Sequence, residues 1–444
     1  MPRTIVTGGT AVIEGRLADV DIVGEDGVIT AITEHGQAGT DCTVVDARGK
    51  LVIPGIIDTH VHFREPGYEH KEDIVTGSTA AAVGGITTVV DMPNTDPVPN
   101  TLERVLHKRE LFDQRSLVDF NNWVSPTRLE EVDRIAASGV AGFKIFMKSA
   151  FYPYDTEASV VDPAMLLEAF RAVAKTGLPL LVHPHFQPLF EAKMAAMKER
   201  GYGTIYEYEE AVYSDEDVTE TVGIAQIALF ARATGANLRV LHVRNGPQLR
   251  LVRALKAGGY PLVAEANPWA IFELRKDLVP QQNVEDNLEA LRDGTIDLIA
   301  SDHAPQTWEE VVAAQNNAYE SVTIGYPLCE HYLSMYLTEV NAGRLDLLRL
   351  VQLTSENPAR HLGIYGKKGV LRVGADMDLV VVDQDAEGVL GEDYPVYSKM
   401  GHTPFQGKRV RGRPVATVLR GRLIAEDGKV LGTPGYGQLV MRQG

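Results

Sequence analysis

The stretch IIDTHVHFREPG, residues 56–67, sets His60 and His62 two apart at the end of an apolar run, with Arg64 two residues further on. Side chains alternate faces along a strand, so a His-x-His pair in a strand points both imidazoles the same way. Further ionisable residues end or interrupt similar apolar runs: Lys144 in GFKIFM, His183 in PLLVHPH, His242 in NLRVLHV and Asp302 in IDLIASDH. Each has an ordinary explanation when taken singly. A lone histidine at a strand end is commonly a hydrogen-bonded core residue, Lys144 could snorkel past Phe143 and Ile145, and Asp302 could cap a turn. Gathered at one place, however, they would leave several ionisable groups unpartnered and desolvated, which is costly. Divalent metal ions supply the missing partner, and four imidazoles with a carboxylate suit zinc or a similar first-row metal.

The elements that must carry these residues are repetitive. Eight apolar, β-branched runs recur in the middle of the chain: LVIPGIIDTHVH, GITTVVDMPN, SLVDFNNWV, GVAGFKIFM, PLLVHPH, NLRVLHV, YPLVAEANP and IDLIASDH. Helical patterns with readable ends lie between most of them. DPAMLLEAFRAVAKTG has Asp162 as N-cap, Pro163 in the first turn and Gly177 as the stop. VTETVGIAQIALFARATG closes on Gly235, PQLRLVRALKAGG on Gly258 and VEDNLEALRDG on Gly294. Continuous apolar strands alternating with helices mean a parallel sheet covered by helices. The expected class is therefore α/β, a (β/α)8 TIM barrel, which typically takes about 250 residues plus insertions. A doubly wound open sheet is the competing architecture, but no G-x-G-x-x-G opens a helix. In a barrel the site is built at the C-terminal ends of the strands, where all six candidate ligands fall.

The first fifty residues and the last eighty read instead as short strands joined by glycine turns, with a hairpin signal at Asp26-Gly27. Neither end is large enough for a core of its own. They are expected to pair into a small β-sandwich, residues 1–53 with 365–444, beside a barrel spanning 54–364.

With 44% hydrophobic and 23% charged residues over 444 positions, the chain reads as a soluble globular protein. A formal net charge of −17 argues against nucleic acid or an anionic membrane as partner, and leaves a small anionic substrate open. The one basic cluster, GKRVRGR at 407–413, reads as a solvated surface. Cys42 and Cys329 stand far apart, which fits a reducing compartment rather than a disulfide framework. The start lacks the pattern of a signal peptide, and no apolar stretch approaches the roughly 20 residues of a membrane span. A cytoplasmic protein is expected.

Several segments together resemble the cyclic-amide branch of the amidohydrolase superfamily, which holds dihydroorotases, allantoinases, hydantoinases and dihydropyrimidinases. They are PGIIDTHVHFREPG, AAAVGGITTVVDMPNTDP, GFKIFM, SDHAP, SENPARHLGI, KKGVLRVGADMDLVVVD and TPFQGKRVRG, running from about residue 50 to 425. The resemblance implies a barrel beside a β-sandwich and a binuclear centre of two divalent ions, zinc first among the choices. His60, His62 and Asp302 would bind one ion, His183 and His242 the other, and Lys144, carboxylated by CO2, would bridge them. A hydroxide between the ions would attack the ring carbonyl while Asp302 acts as general base and then general acid. A homo-oligomer, dimer or tetramer, is also expected.

For the ring itself, Arg64 with Asn94 looks like the dihydroorotase pattern that holds a substrate carboxylate, for which an arginine fork is well suited. A rim salt bridge from Arg64 to Glu65 or Glu69 is the plain alternative. Hydantoinases usually carry a tyrosine where Ser149 stands, and allantoinases usually lack an arginine at the position of Arg64. The chain also departs from dihydroorotases. EANPWAIFE replaces the usual cysteine-proline-histidine stretch, VPQQNVEDN replaces an asparagine-proline-proline-leucine-arginine segment, and Gln306 follows SDHAP where histidine is usual. HPHF leaves His185 beside His183 as a second candidate ligand. Asn267, Trp269 and His303 are expected in the substrate pocket. Allantoinase or hydantoinase/dihydropyrimidinase chemistry is the alternative reading. A mononuclear deaminase would not need Lys144, and a non-catalytic scaffold homologue would not keep all six ligand positions.

Overall fold

The computed structural model describes residues 3–36, 42–148, 157–201, 203–271, 281–316 and 325–443. The eight apolar runs become eight parallel strands: β1 (Ile56–Val61), β2 (Ile86–Asp91), β3 (Asp119–Val124), β4 (Gly142–Phe146), β5 (Pro179–His183), β6 (Asn237–Val240), β7 (Leu262–Ala266) and β8 (Leu298–Ile299). Each pairs with its sequence neighbour, so the sheet order follows the chain. The short β8 nearly closes the barrel onto β1. His62 N donates to His303 O at 2.7 Å and Ser301 N donates to Asp58 Oδ1 at 3.1 Å. Every residue of β1, β2, β3 and β4 is buried, as expected of strands covered by helices on one face and filled by side chains on the other.

Local chemistry sets the helix ends. Asp162 Oδ1 accepts from Met165 N at 2.7 Å to start the helix Pro163–Thr176, and Gly177, at φ 68°, ends it in the left-handed conformation that lacks a Cβ penalty. The helix that closes on Gly235 is longer than the pattern from Val218 suggests. It starts at Ile205, where Thr204 and Glu207 form a capping box. Among the described residues no helix is long and apolar enough to cross a membrane.

The chain ends pair as expected, in one continuous nine-stranded sheet. Leu51–Pro54 is the seam: it runs parallel to Thr4–Ile13 and antiparallel to Leu379–Val389. Asp26 and Gly27, at φ 50° and 86°, make the tight turn between Arg16–Glu25 and Val28–Thr33. Val6, Ile22, Ile29, Val52, Leu379, Val381 and Val418 form a separate core for this sheet. The last residues leave it. Phe120 N donates to Gln438 O at 3.0 Å and Val440 N to Phe120 O at 2.8 Å, so the C-terminal segment runs along β3 near its start. Beside it Lys368 Nζ lies 2.7, 3.0 and 2.5 Å from Asp119, Asp376 and Asp378, and Arg420 also pairs with Asp119. Those three carboxylates are close enough to hold a cation. The ammonium of Lys368 fills that role and joins barrel to sheet.

Candidate metal centre

Five of the six candidate ligands sit at or just past the C-terminal ends of their strands, Lys144 lies midway along β4, and the barrel brings them together. The ligand atoms of His60, His62 and Asp302 lie within 4.8 Å of one another. His60 Nε2 is 3.2 Å and His62 Nε2 3.4 Å from the same oxygen, Asp302 Oδ1. Opposite them, His242 Nε2 is 2.9 Å from His183 Nδ1, and the His60 and His242 rings are 6.1 Å apart. Lys144 is fully buried in β4; among the described residues its Nζ has no hydrogen-bond partner and lies 4.4 Å from the Phe146 ring centroid.

Burial dominates the electrostatics. Desolvation pushes His62 and His242 down to about 3, so both imidazoles are neutral at pH 7 and carry a free lone pair. Desolvation likewise lowers Lys144 to about 7, against the pull of Glu265 and Asp302. A substantial neutral amine fraction follows, and only the neutral amine can attack CO2. Burial alone would raise Asp302, but attraction to His60 and hydrogen bonding with His62 outweigh it and hold the carboxyl well below the usual range. Neutral imidazoles, an ionised carboxylate and an orphaned buried amine make a donor set that fits divalent ions. Arg64, His242 and Asp302 also hold left-handed backbone, at φ 63°, 39° and 54°. Such strain costs about 1–3 kcal/mol per residue and gathers at functional sites.

The residues expected to touch substrate fall in different places. Arg64 is buried at 2% exposure with its Nε donating to Pro305 O at 3.1 Å, while Glu65 pairs with Arg115 and Glu69 accepts from Gly67 N. Asn94 Oδ1 lies 2.6 Å from His62 Nδ1, leaving its buried Nδ2 without a hydrogen-bond partner among the described residues. Asn267 Nδ2 donates to Asp302 Oδ2 at 3.3 Å, and its buried Oδ1 has no hydrogen-bond partner among the described residues. Both amides thus hold ligand side chains and keep one polar atom to spare.

His303, expected in the substrate pocket, lies deeper in the protein. Its ring is fully buried, and Nδ1 accepts from the backbone N–H groups of Leu328 and Cys329 at 3.1 and 3.2 Å. Nε2 faces Glu72 at 3.4 Å and has no hydrogen-bond partner among the described residues. His185 is also turned away, packed against Phe190 with ring centroids 4.7 Å apart, which leaves His183 with His242. Trp269 packs on Tyr326 and Phe405 at 5.0 and 5.4 Å, and Gln306 accepts from Lys71 Nζ at 3.0 Å. Ser149 and parts of EANPWAIFE and VPQQNVEDN lie outside the described residues.

Three buried residues escaped the sequence reading. Glu265 Oε1 lies 2.6 Å from His60 Nδ1, Arg239 pairs with Glu265, and Asp58 Oδ1 accepts from His60 N at 3.2 Å. Their signal was present: Glu265 precedes Asn267 by two, and Asp58 precedes His60 by two, the spacing of a shared strand face.

A parallel barrel with imidazoles, an aspartate and a buried lysine converging at one mouth defines a hydrolase class built on the (β/α)8 fold. The model of the Amidohydrolase family matches residues 51–424, and the chain belongs to that family. The chain is 34% identical to an allantoinase of Rubrobacter xylanophilus over 97% of its own length and 96% of the relative's. It is 32% identical to a dihydroorotase of Halalkalibacterium halodurans over 96% and 99%. The solved L-hydantoinase (dihydropyrimidinase) from Arthrobacter aurescens superposes with a TM-score of 0.91 at 30% identity, covering 100% of both chains. The chain is thus a hydrolase of the cyclic-amide branch.

Proposed function

We propose that this protein opens a small cyclic amide, imide or ureide ring by hydrolysis, and that the ring carries a carboxylate, with dihydroorotate first in line. The observation behind the chemistry is the meeting of His60 and His62 Nε2 on one Asp302 oxygen, opposite the His183–His242 pair and beside the orphaned Lys144 amine. His60, His62 and Asp302 would hold one divalent ion, His183 and His242 the other, with carboxylated Lys144 between, and zinc suits the donor set best. When bound, the ions supply Lewis acidity that activates water and polarises the ring carbonyl.

The chain's own residues supply the rest. Asp302, with 22% of its side chain exposed, accepts the proton of the attacking water and delivers it to the departing ring nitrogen. The ring C–N bond breaks, leaving a carboxylate and an arm that ends in the freed nitrogen, a ureido or carboxamide group for a ureide or imide ring. Asn267 fixes Asp302 through the other oxygen, Oδ2, and Asn94 fixes His62. The reading of the ring rests on Arg64, because relatives named for different rings lie at nearly equal identity, 34% and 32%. The solved hydantoinase fold neighbour favours a neutral ring as the second reading.

A screen of ring opening on dihydroorotate, allantoin, hydantoins, dihydrouracil and succinimides, run beside metal analysis, tests both parts. Turnover strongest on the carboxylate-bearing ring with two ions per chain is expected. Turnover confined to neutral rings removes the carboxylate, and one ion or none removes the binuclear centre.

A further inference from the structure

His60 and His62 leave the same strand and face the same aspartate, yet they are held from behind by different chemistry. His62 is held by a neutral amide, Asn94. His60 is held by a carboxylate: Glu265 Oε1 lies 2.6 Å from its Nδ1. A carboxylate is an acceptor only, so His60 Nδ1 carries a proton toward Glu265, and Nε2, which faces Asp302 at 3.2 Å, is the ring nitrogen left for the proposed ion. Glu265 is itself fixed. Its Oε2 pairs with Arg239, whose Nη2 also donates to Thr59 Oγ1 at 2.5 Å, and Trp123 Nε1 donates to Thr59 O at 2.8 Å. Side chains from β3, β6 and β7 therefore converge on the Thr59–His60 segment of β1.

As a stability device the Glu265–Arg239 pair is poor. Both side chains are fully buried, and Nε and Nη1 of Arg239 have no hydrogen-bond partner among the described residues. Such pairs are often replaceable by apolar residues without loss, because desolvation offsets the attraction. What the pair does supply is a charged oxygen at a fixed place behind one imidazole. We infer that Glu265 is a positioning residue for the metal centre, acting through the orientation and tautomer of His60, and that Arg239 acts through Glu265 by keeping that carboxylate in place. The inference rests on the metal-centre reading above. Carboxylates in this relation to a ligating histidine typically change metal affinity by about 10–100-fold when removed.

The test uses the full-length protein loaded with Zn2+, and separately with Co2+ as a spectroscopic reporter. Glu265→Asp keeps the charge and a countercharge for Arg239 but draws the carboxylate back from His60. The double variant Glu265→Gln with Arg239→Met removes both buried charges together, so neither is stranded. Both are expected to release Zn2+ to a competing chelator with affinity lowered about 10–100-fold, and to shift the Co2+ visible spectrum, while folding remains cooperative. Zn2+ affinity within about twofold of wild type in either folded variant overturns the inference, as does an unchanged Co2+ spectrum. A His60→Ala control separates the two levels. If it still holds two ions, the metal reading fails; if it loses them while the Glu265 variants do not, only the role of Glu265 fails.

Discussion

Replacing Arg64 with methionine removes a buried cation two residues from the metal ligand His62. Arg64 is 2% exposed, its Nε is 3.1 Å from Pro305 O, and its backbone is left-handed at φ 63°. Methionine also carries a Cβ, so it meets the same backbone strain as arginine and adds none. Two of the resulting losses differ in what they depend on. The first is the hydrogen bond to Pro305 O, worth about 1 kcal/mol net, which lowers stability equally whatever the substrate. The second is felt only when the ring bears an anion, which is then left unpaired in a partly buried place, at a cost of about 2–5 kcal/mol. At 1.36 kcal/mol per tenfold, that is about 30- to 5,000-fold in kcat/KM. Steady-state kinetics on dihydroorotate and on hydantoin or dihydrouracil, with metal content measured on the same samples, read the two losses apart. The carboxylate-bearing ring should suffer the full factor, the neutral rings little, and the metal none. Equal losses on charged and neutral rings, or no loss on either, would take Arg64 out of the substrate site and dihydroorotate from the head of the list.

Asp302→Asn should cost about 10²–10⁴-fold in kcat with a cooperative unfolding transition retained, since proton transfer by a placed carboxylate is worth that much; wild-type turnover in the variant refutes the assignment. Lys144→Ala should lose most bound metal and turnover, and acetate or propionate added with divalent metal should restore part of both; full occupancy and activity without additive would make Lys144 a structural lysine. Lys368→Met removes the cation shared by Asp119, Asp376 and Asp378, and should destabilise by about 3–5 kcal/mol in urea unfolding; a midpoint close to wild type would show that Arg420 alone balances the cluster.

What was legible in the sequence was set by local periodicity. The eight strands announce themselves because both their faces are buried, so apolar residues run on without a break, and their helices end on residues whose capping chemistry is local, such as Asp162 and Gly177. The Asp26-Gly27 turn is equally local. The fate of the last residues is not: nothing in GYGQLVMRQG says that the segment leaves the sheet to lie along β3, because that contact joins positions more than three hundred apart in sequence, as Asn121 Nδ2 to Val440 O at 2.6 Å shows. The length of the helix ending at Gly235 depends on a capping box that the apolar pattern alone does not include.

Within the site the division is sharper. Two-residue alternation predicts that His60 and His62 share a face, and the same rule offers Asp58 and Glu265 to anyone who extends it backwards along β1 and β7. It also warns against grouping His303 with Asp302, its immediate neighbour, and the structure turns that ring inward onto the amides of Leu328 and Cys329. The substrate wall obeys no such rule. Asn94, Asn267 and Trp269 stand beyond the strand ends, where the chain direction is set by packing between loops, and the sequence shows their side-chain types without their partners. Ligands that close apolar runs therefore make the metal site readable from residue spacing, and the resemblance adds the family, whereas the ring is chosen by residues whose contacts exist only once the barrel has closed. Arg64 belongs to both groups, two residues past His62 in register yet held by the carbonyl of Pro305 from the far side of the barrel seam.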